Sequence, residues 1–174
     1  MTNAKRAIVV MGMRSPKAIG DVKTILKNVD TVSKDLGLVL QLVNASRVYG
    51  KEHLEVAAEH ALRAFDEGRN FGKTVAIEVL MYASGKRQIS EALKFMGLGH
   101  GMIKIGVVAI SGPGKTVPAD LRKRLGFERD DSVLSGSEDV LDAFGIGPEI
   151  RKGTSPEKWA DLIIEKVTLL ELEK

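Results

Sequence analysis

The spacing of apolar positions divides the chain into strands and helices. Arg6–Met13 is β-branched and apolar and reads as a buried strand, ended by Arg14-Ser15-Pro16. From Lys17 to Leu36 the residues Ile19, Val22, Ile25, Leu26, Val29 and Val32 recur at helical spacing, and Gly37 is the stop. Leu38–Val43 predicts a second strand. Leu54, Ala57, Ala58, Ala61, Leu62 and Phe65 form one stripe on a helix over Lys51–Glu67, closed by Gly68. Thr74 can cap a third helix, Val75–Ala83, whose apolar residues run nearly all the way round, as befits a central, buried helix. Gly85 interrupts the pattern, and Ile89, Ala92, Leu93 and Met96 resume it up to Gly97. Met102–Ile110 predicts another strand. Ser111–Leu134 is mixed, with a short helix at Ala119–Leu125, and Val133–Phe144 is ambiguous. Pro156–Leu172 predicts a C-terminal helix.

These elements are interspersed without a regular βαβ rhythm. The expected fold class is therefore α+β, a single domain over residues 1–174 with a mixed or antiparallel sheet flanked by helices. A chain of 174 residues with 44% apolar and 28% charged positions can bury a substantial core. Zero cysteines exclude a disulfide scaffold, a thiolate zinc site and a cysteine nucleophile. The longest apolar runs are too short to span a bilayer, and no signal-peptide cleavage site is evident, so the expected compartment is the cytoplasm.

Charge is unevenly distributed. Residues 1–127 carry 20 Lys/Arg against 11 Asp/Glu, whereas residues 128–174 carry 6 against 12. A basic body suits a polyanion and an acidic end suits a basic partner; an uneven solvated surface is the plainer alternative.

Ala109-Ile-Ser-Gly-Pro-Gly-Lys-Thr116 follows a strand and matches a permissive phosphate-loop pattern, in which Lys115 would reach phosphates and Thr116 would hold magnesium. Only 58 residues follow Thr116, and Pro113 removes an amide from the loop. A Gly/Pro turn is the favoured reading, with a P-loop nucleotide-binding protein kept as the alternative. His53 and His60 stand seven apart on one helix, about 10 Å, which is too far to share a metal. They and His100 read as surface histidines, and the sequence offers no cofactor, metal set or catalytic residue. Glu78 lies in an otherwise apolar helix. It occupies a wet edge or pairs structurally, with catalysis the least favoured role.

In Ser84-Gly-Lys-Arg-Gln-Ile89, an end at Gly85 would crowd Lys86 and Arg87 at the next helix N-terminus, where the dipole favours anions. The turn is then a phosphate or carboxylate site. One continuous helix kinked at Gly85 is the equal alternative. A small-molecule module clamping a carboxylate with Lys86 and Arg87 also remains open.

Several segments in order carry a resemblance: Gln41-Leu-Val-Asn-Ala45, a helix beginning near His53, and Ala76-Ile-Glu-Val-Leu-Met-Tyr-Ala-Ser-Gly-Lys-Arg-Gln-Ile-Ser-Glu-Ala-Leu93. Met96-Gly97, a strand, Asp130-Asp-Ser-Val-Leu134 and Ile164-Glu-Lys-Val-Thr-Leu-Leu-Glu-Leu-Glu-Lys174 continue it. The chain resembles the PRPK-binding-protein family, the small kinase-associated subunits of the KEOPS (EKC) tRNA-modification complex. The resemblance runs from about Val39 to the C-terminus. Residues 1–36 look like an N-terminal extension of the core, and Ser111–Arg124 like an added loop and basic helix.

The resemblance implies a non-catalytic subunit without a cofactor. It implies binding to the small lobe of the complex's kinase-like ATPase and to tRNA, including its 3′ end. Other subunits, among them the transferase, form threonylcarbamoyladenosine. On this basis Lys86, Arg87 and Gln88 at the Ser84-Gly85 turn, with Lys73 and Arg47, are the expected nucleic-acid contacts. On the C-terminal helix, Ile163, Val167 and Leu170 should face the core. Leu162, Leu169 and Leu172 form a second stripe and are the expected partner contacts.

Overall fold

The computed structural model describes residues 4–173. Four strands, β1 (Ile8–Arg14), β2 (Val39–Asn44), β3 (Lys104–Ile110) and β4 (Glu128–Arg129), form one sheet in the order β2-β3-β1-β4. Every pairing is antiparallel, with Ile8 opposite Ile110 and Val39 opposite that same Ile110. The fold is α+β. Residues of the first 36 are central to it, because β1 sits between β3 and β4.

Both faces of the sheet are covered, which is why the long strands read as nearly continuous apolar runs. Val10, Val43, Val108 and Ile110 pack under α2 (Lys51–Asp66), α3 (Val75–Ser84) and α8 (Trp159–Leu172). Met11, Met13, Leu40, Leu42, Ile105 and Val107 pack against α1 (Val22–Leu36) and α5 (Leu121–Leu125) on the other side. Alanines 57, 58, 61 and 64 on α2 are fully buried, and such small side chains let α3 approach closely. Gly12 faces Gly106 across β1 and β3, and a Cβ at Gly12 would stand 2.3 Å from the Asp130 carbonyl oxygen. The sheet is therefore bare at that point, and the 3-10 turn Asp131–Leu134 lies against it, its Asp131 accepting from the Gly12 amide at 2.8 Å.

Several elements differ from the sequence expectation. The first helix begins at Val22, because Asp21 accepts from the Thr24 amide and caps it; Lys17–Gly20 precede it as loop, with Ile19 buried. The C-terminal segment breaks into a 3-10 turn at Pro156–Lys158 followed by α8. Between them the ambiguous stretch yields α6 (Glu138–Ala143), and α7 (Pro148–Lys152) follows. Helices α6 and α7 are too short to develop a periodic signal, and the buried Arg151 fastens them, donating to Asp142 at 2.5 Å and to the Ile146 carbonyl at 2.8 Å. No helix among the described residues is long and apolar enough to cross a membrane.

Candidate nucleic-acid and partner surfaces

Gly85 ends α3 in the left-handed conformation (φ 66°), a position that glycine adopts freely, and the Lys86 amide closes back on the Met81 carbonyl at 3.2 Å. The α4 helix (Ile89–Met96) starts afresh after Gln88. Two helices with a break is thus the arrangement, and a kinked continuous helix is excluded. Lys86 and Arg87 precede the α4 N-terminus.

Gly85, Lys86, Arg87 and Gln88 line a cleft of about 570 Å³ together with Phe71, Glu91 and Glu173. Phe71 is 37% exposed there. Arg87 faces Glu173, with Nε 3.5 Å from the carboxylate and Nη2 3.3 Å from the main-chain carbonyl. Lys86 lies over the Phe95 ring at 5.1 Å, and Arg47 reaches the same ring at the same distance. Arg47 therefore adjoins the turn through Phe95 without lining the cleft. Lys73 is exposed two residues beyond Phe71. Ser84 is buried, and its hydroxyl donates to the Met81 carbonyl and accepts the Lys86 amide, which shapes the turn.

The loop that carries Phe71 and Lys73 is anchored from below by Glu78. This carboxylate is fully buried and accepts from the amides of Phe71 at 2.9 Å and Gly72 at 2.6 Å. The expectation of a wet helix edge is corrected: backbone amides supply what water would have supplied. The expectation of surface histidines is corrected for two of three. His53 is fully buried, taking the Tyr49 amide at Nδ1 (3.1 Å) and giving Nε2–H to the Ala83 carbonyl (2.8 Å). Burial pushes its pKa down to about 4, against a smaller upward pull from the Ala83 bond. His60 is buried against Tyr82 and lies 2.6 Å from the Glu171 carboxylate. His100 is exposed as expected.

On α8, Ile163, Val167 and Leu170 are buried, as the spacing predicts. Leu169 and Leu172 are 41% and 79% exposed. Leu162 belongs with them only in sequence; it is half-buried against the cluster of Val140, Leu141 and Ile146. The last turns of α8 are fastened by Glu171, which meets His60, Arg63 and Arg69 together. Burial draws the Glu171 carboxyl upward, but Arg69, His60 and Arg63 outweigh it and hold the pKa below its usual value.

The phosphate-loop alternative fails on geometry. After β3 the chain turns back on itself, with the Ser111, Gly114 and Lys115 amides bonded to Ala7, Lys5 and Gly112 carbonyls. Those amides are unavailable to a phosphate, and no helix opens before Leu121.

A cleft lined by Phe71, two cations and two carboxylates, and a helix end with Leu169 and Leu172 exposed, are carried on an α+β sheet. The chain belongs to the family described as kinase binding protein CGI-121, whose profile matches residues 17–168. It is 32% identical over 140 residues to the regulatory protein Cgi121 of Methanocaldococcus jannaschii, covering 80% of this chain and 88% of that protein. It is 34% identical over 123 residues to the KEOPS complex subunit Cgi121 of Pyrococcus abyssi, covering 68% of this chain and 71% of the relative. Phe71, Glu91 and Glu173, which line the cleft, and Phe95, which adjoins it, were not among the expected contacts. Phe71 alone had a readable signal, a single aromatic in Arg69-Asn-Phe-Gly-Lys73 between two cations.

Proposed function

We propose that this chain is a non-catalytic, cytoplasmic subunit of a KEOPS-type complex. It docks on the kinase-like ATPase through the outer face of α8 and holds tRNA at the Phe71–Gln88 cleft, supporting threonylcarbamoyladenosine formation by the transferase subunit. The kinase reading rests on the family, named for kinase binding, and on the relative named as a KEOPS subunit. The observation that carries its location is the exposure of Leu169 and Leu172 on a helix whose opposite face is fully buried. The tRNA reading is supported by a stacking ring, Phe71, beside Lys86, Arg87 and Gln88 in one cleft. Single strands are bound by this pairing of ring and cation, which serves any base. Arg87 faces Glu173 across this cleft, and Lys86 and Glu91 line it beside them.

The experiment is co-expression with the kinase-like subunit of the same organism, followed by a tRNA gel shift on the isolated chain. Co-purification and a complex that weakens with added salt are expected. Failure to co-purify would remove the kinase assignment, and salt-independent binding would remove the tRNA assignment.

A further inference from the structure

The negative end of the α8 dipole carries two carboxylates, Glu171 and Glu173, and no basic residue in its last turn. A helix disfavours that arrangement unless cations come from elsewhere. Arg69 and Arg87, from two neighbouring loops, supply them. The two carboxylates are held very differently. Glu171 is 17% exposed and shared among three basic groups, so it fixes the helix end. Glu173 is half exposed and, among the described residues, its carboxylate pairs with Arg87, while it lines the Phe71 cleft.

We propose that Glu173 is an autoinhibitory stand-in for an RNA phosphate on Arg87. A guanidinium presents the same donor fork to a carboxylate and to a phosphate, so one occupant excludes the other. Arg87 donates to the main-chain carbonyl of Glu173 and stands 3.5 Å from its carboxylate, and an entering strand must displace at least the carboxylate. With both side chains at least half exposed, the pair is weak enough to be displaced by a ligand. Because Glu173 caps the helix that bears Leu169 and Leu172, a partner on that face acts next to the lock. The inference rests on the reading of the cleft as the tRNA site.

The test measures affinity of the full chain for a labelled tRNA transcript at low salt, by fluorescence anisotropy. Glu173→Gln is compared with Glu165→Gln, an exposed carboxylate about 12 Å earlier on α8 that changes net charge equally. Glu173→Gln should bind about two- to fivefold tighter than Glu165→Gln. In an Arg87→Gln background the gain should vanish, as a double-mutant cycle requires when the two residues act through each other. Equal gains from both single variants, or a gain that survives without Arg87, would overturn the lock while leaving the cleft assignment intact. If Arg87→Gln by itself leaves tRNA affinity unchanged, the cleft assignment falls and the lock falls with it.

Discussion

His53 on α2 donates from Nε2 to the carbonyl oxygen of Ala83, 2.8 Å away at the end of α3. Because Nδ1 accepts the Tyr49 amide, the proton must be on Nε2 and the ring must be neutral. One uncharged imidazole thus ties the start of α2 to the residue preceding the Ser84-Gly85 turn, and so positions Lys86 and Arg87.

That bond sets a pH dependence. Burial lowers the pKa of His53 from 6.5 to about 4, so the unfolded chain takes up the proton first as pH falls. The stability from the neutral ring is complete above pH 6.5, declines between 6.5 and about 4, and is flat below. The full loss is about 3 kcal/mol. Urea melts of the native chain and His53→Gln should differ most at pH 7, and the gap should shrink toward pH 4. A gap that does not move with pH would refute the account.

Glu78 should act on the loop it anchors. Glu78→Ala leaves the buried Gly72 amide and the Phe71 amide without their carboxylate, a loss of about 2–5 kcal/mol. Hydrogen exchange should quicken at Phe71 and Gly72, and tRNA affinity should fall although Glu78 touches no ligand. An unaltered melt would mean that other groups hold this loop.

Charge reversal at the turn separates phosphate contact from general attraction. Lys86→Glu/Arg87→Glu should weaken tRNA binding at low salt by tenfold or more, a rough figure for two reversed contacts. The slope of log affinity against log salt should flatten by about 0.7 for each lost contact to a single strand. Binding titrations at several salt concentrations measure both. The placement would be wrong if the slope were unchanged, or if removing the tRNA 3′ end cost the native chain nothing.

Periodicity made the long elements legible: α2, α3, α8 and the three longer strands fall within a few residues of where the apolar spacing sets them. The short ones, β4, α6 and α7, contain too few turns or alternations for a period to emerge. The break at Gly85 was visible but undecided, since a left-handed glycine and a kinked helix look alike in sequence. His53 and His60 were misjudged for a different reason. A histidine is buried when partners await it, and the Ala83 carbonyl and Glu171 carboxylate lie 30 and 111 residues away in sequence. The cleft was half legible for the same reason: Lys86–Gln88 and Glu91 are neighbours in sequence, whereas Phe71 and Glu173 join them only through the packing of α3 and α8.

The two faces of α8 yield a paired prediction about the kinase. Val167 is fully buried where α8 packs on α2 and α3, whereas Leu169, two residues on, is 41% exposed. Glutamate at Val167 places a charge in the core without a partner and should unfold the chain. Leu169→Glu adds a charge already in water and should shift stability by no more than about 0.5 kcal/mol. At an interface, however, a buried leucine anchor is worth about 2 kcal/mol or more, so the same charge should abolish co-purification with the kinase-like subunit. The outcome to look for is an unchanged circular dichroism melt with lost co-purification. Leu169→Glu that melts early assigns Leu169 to the core; Leu169→Glu that still co-purifies moves the interface off this face. Leu162, half-buried against Leu141 and Ile146, should respond between the two.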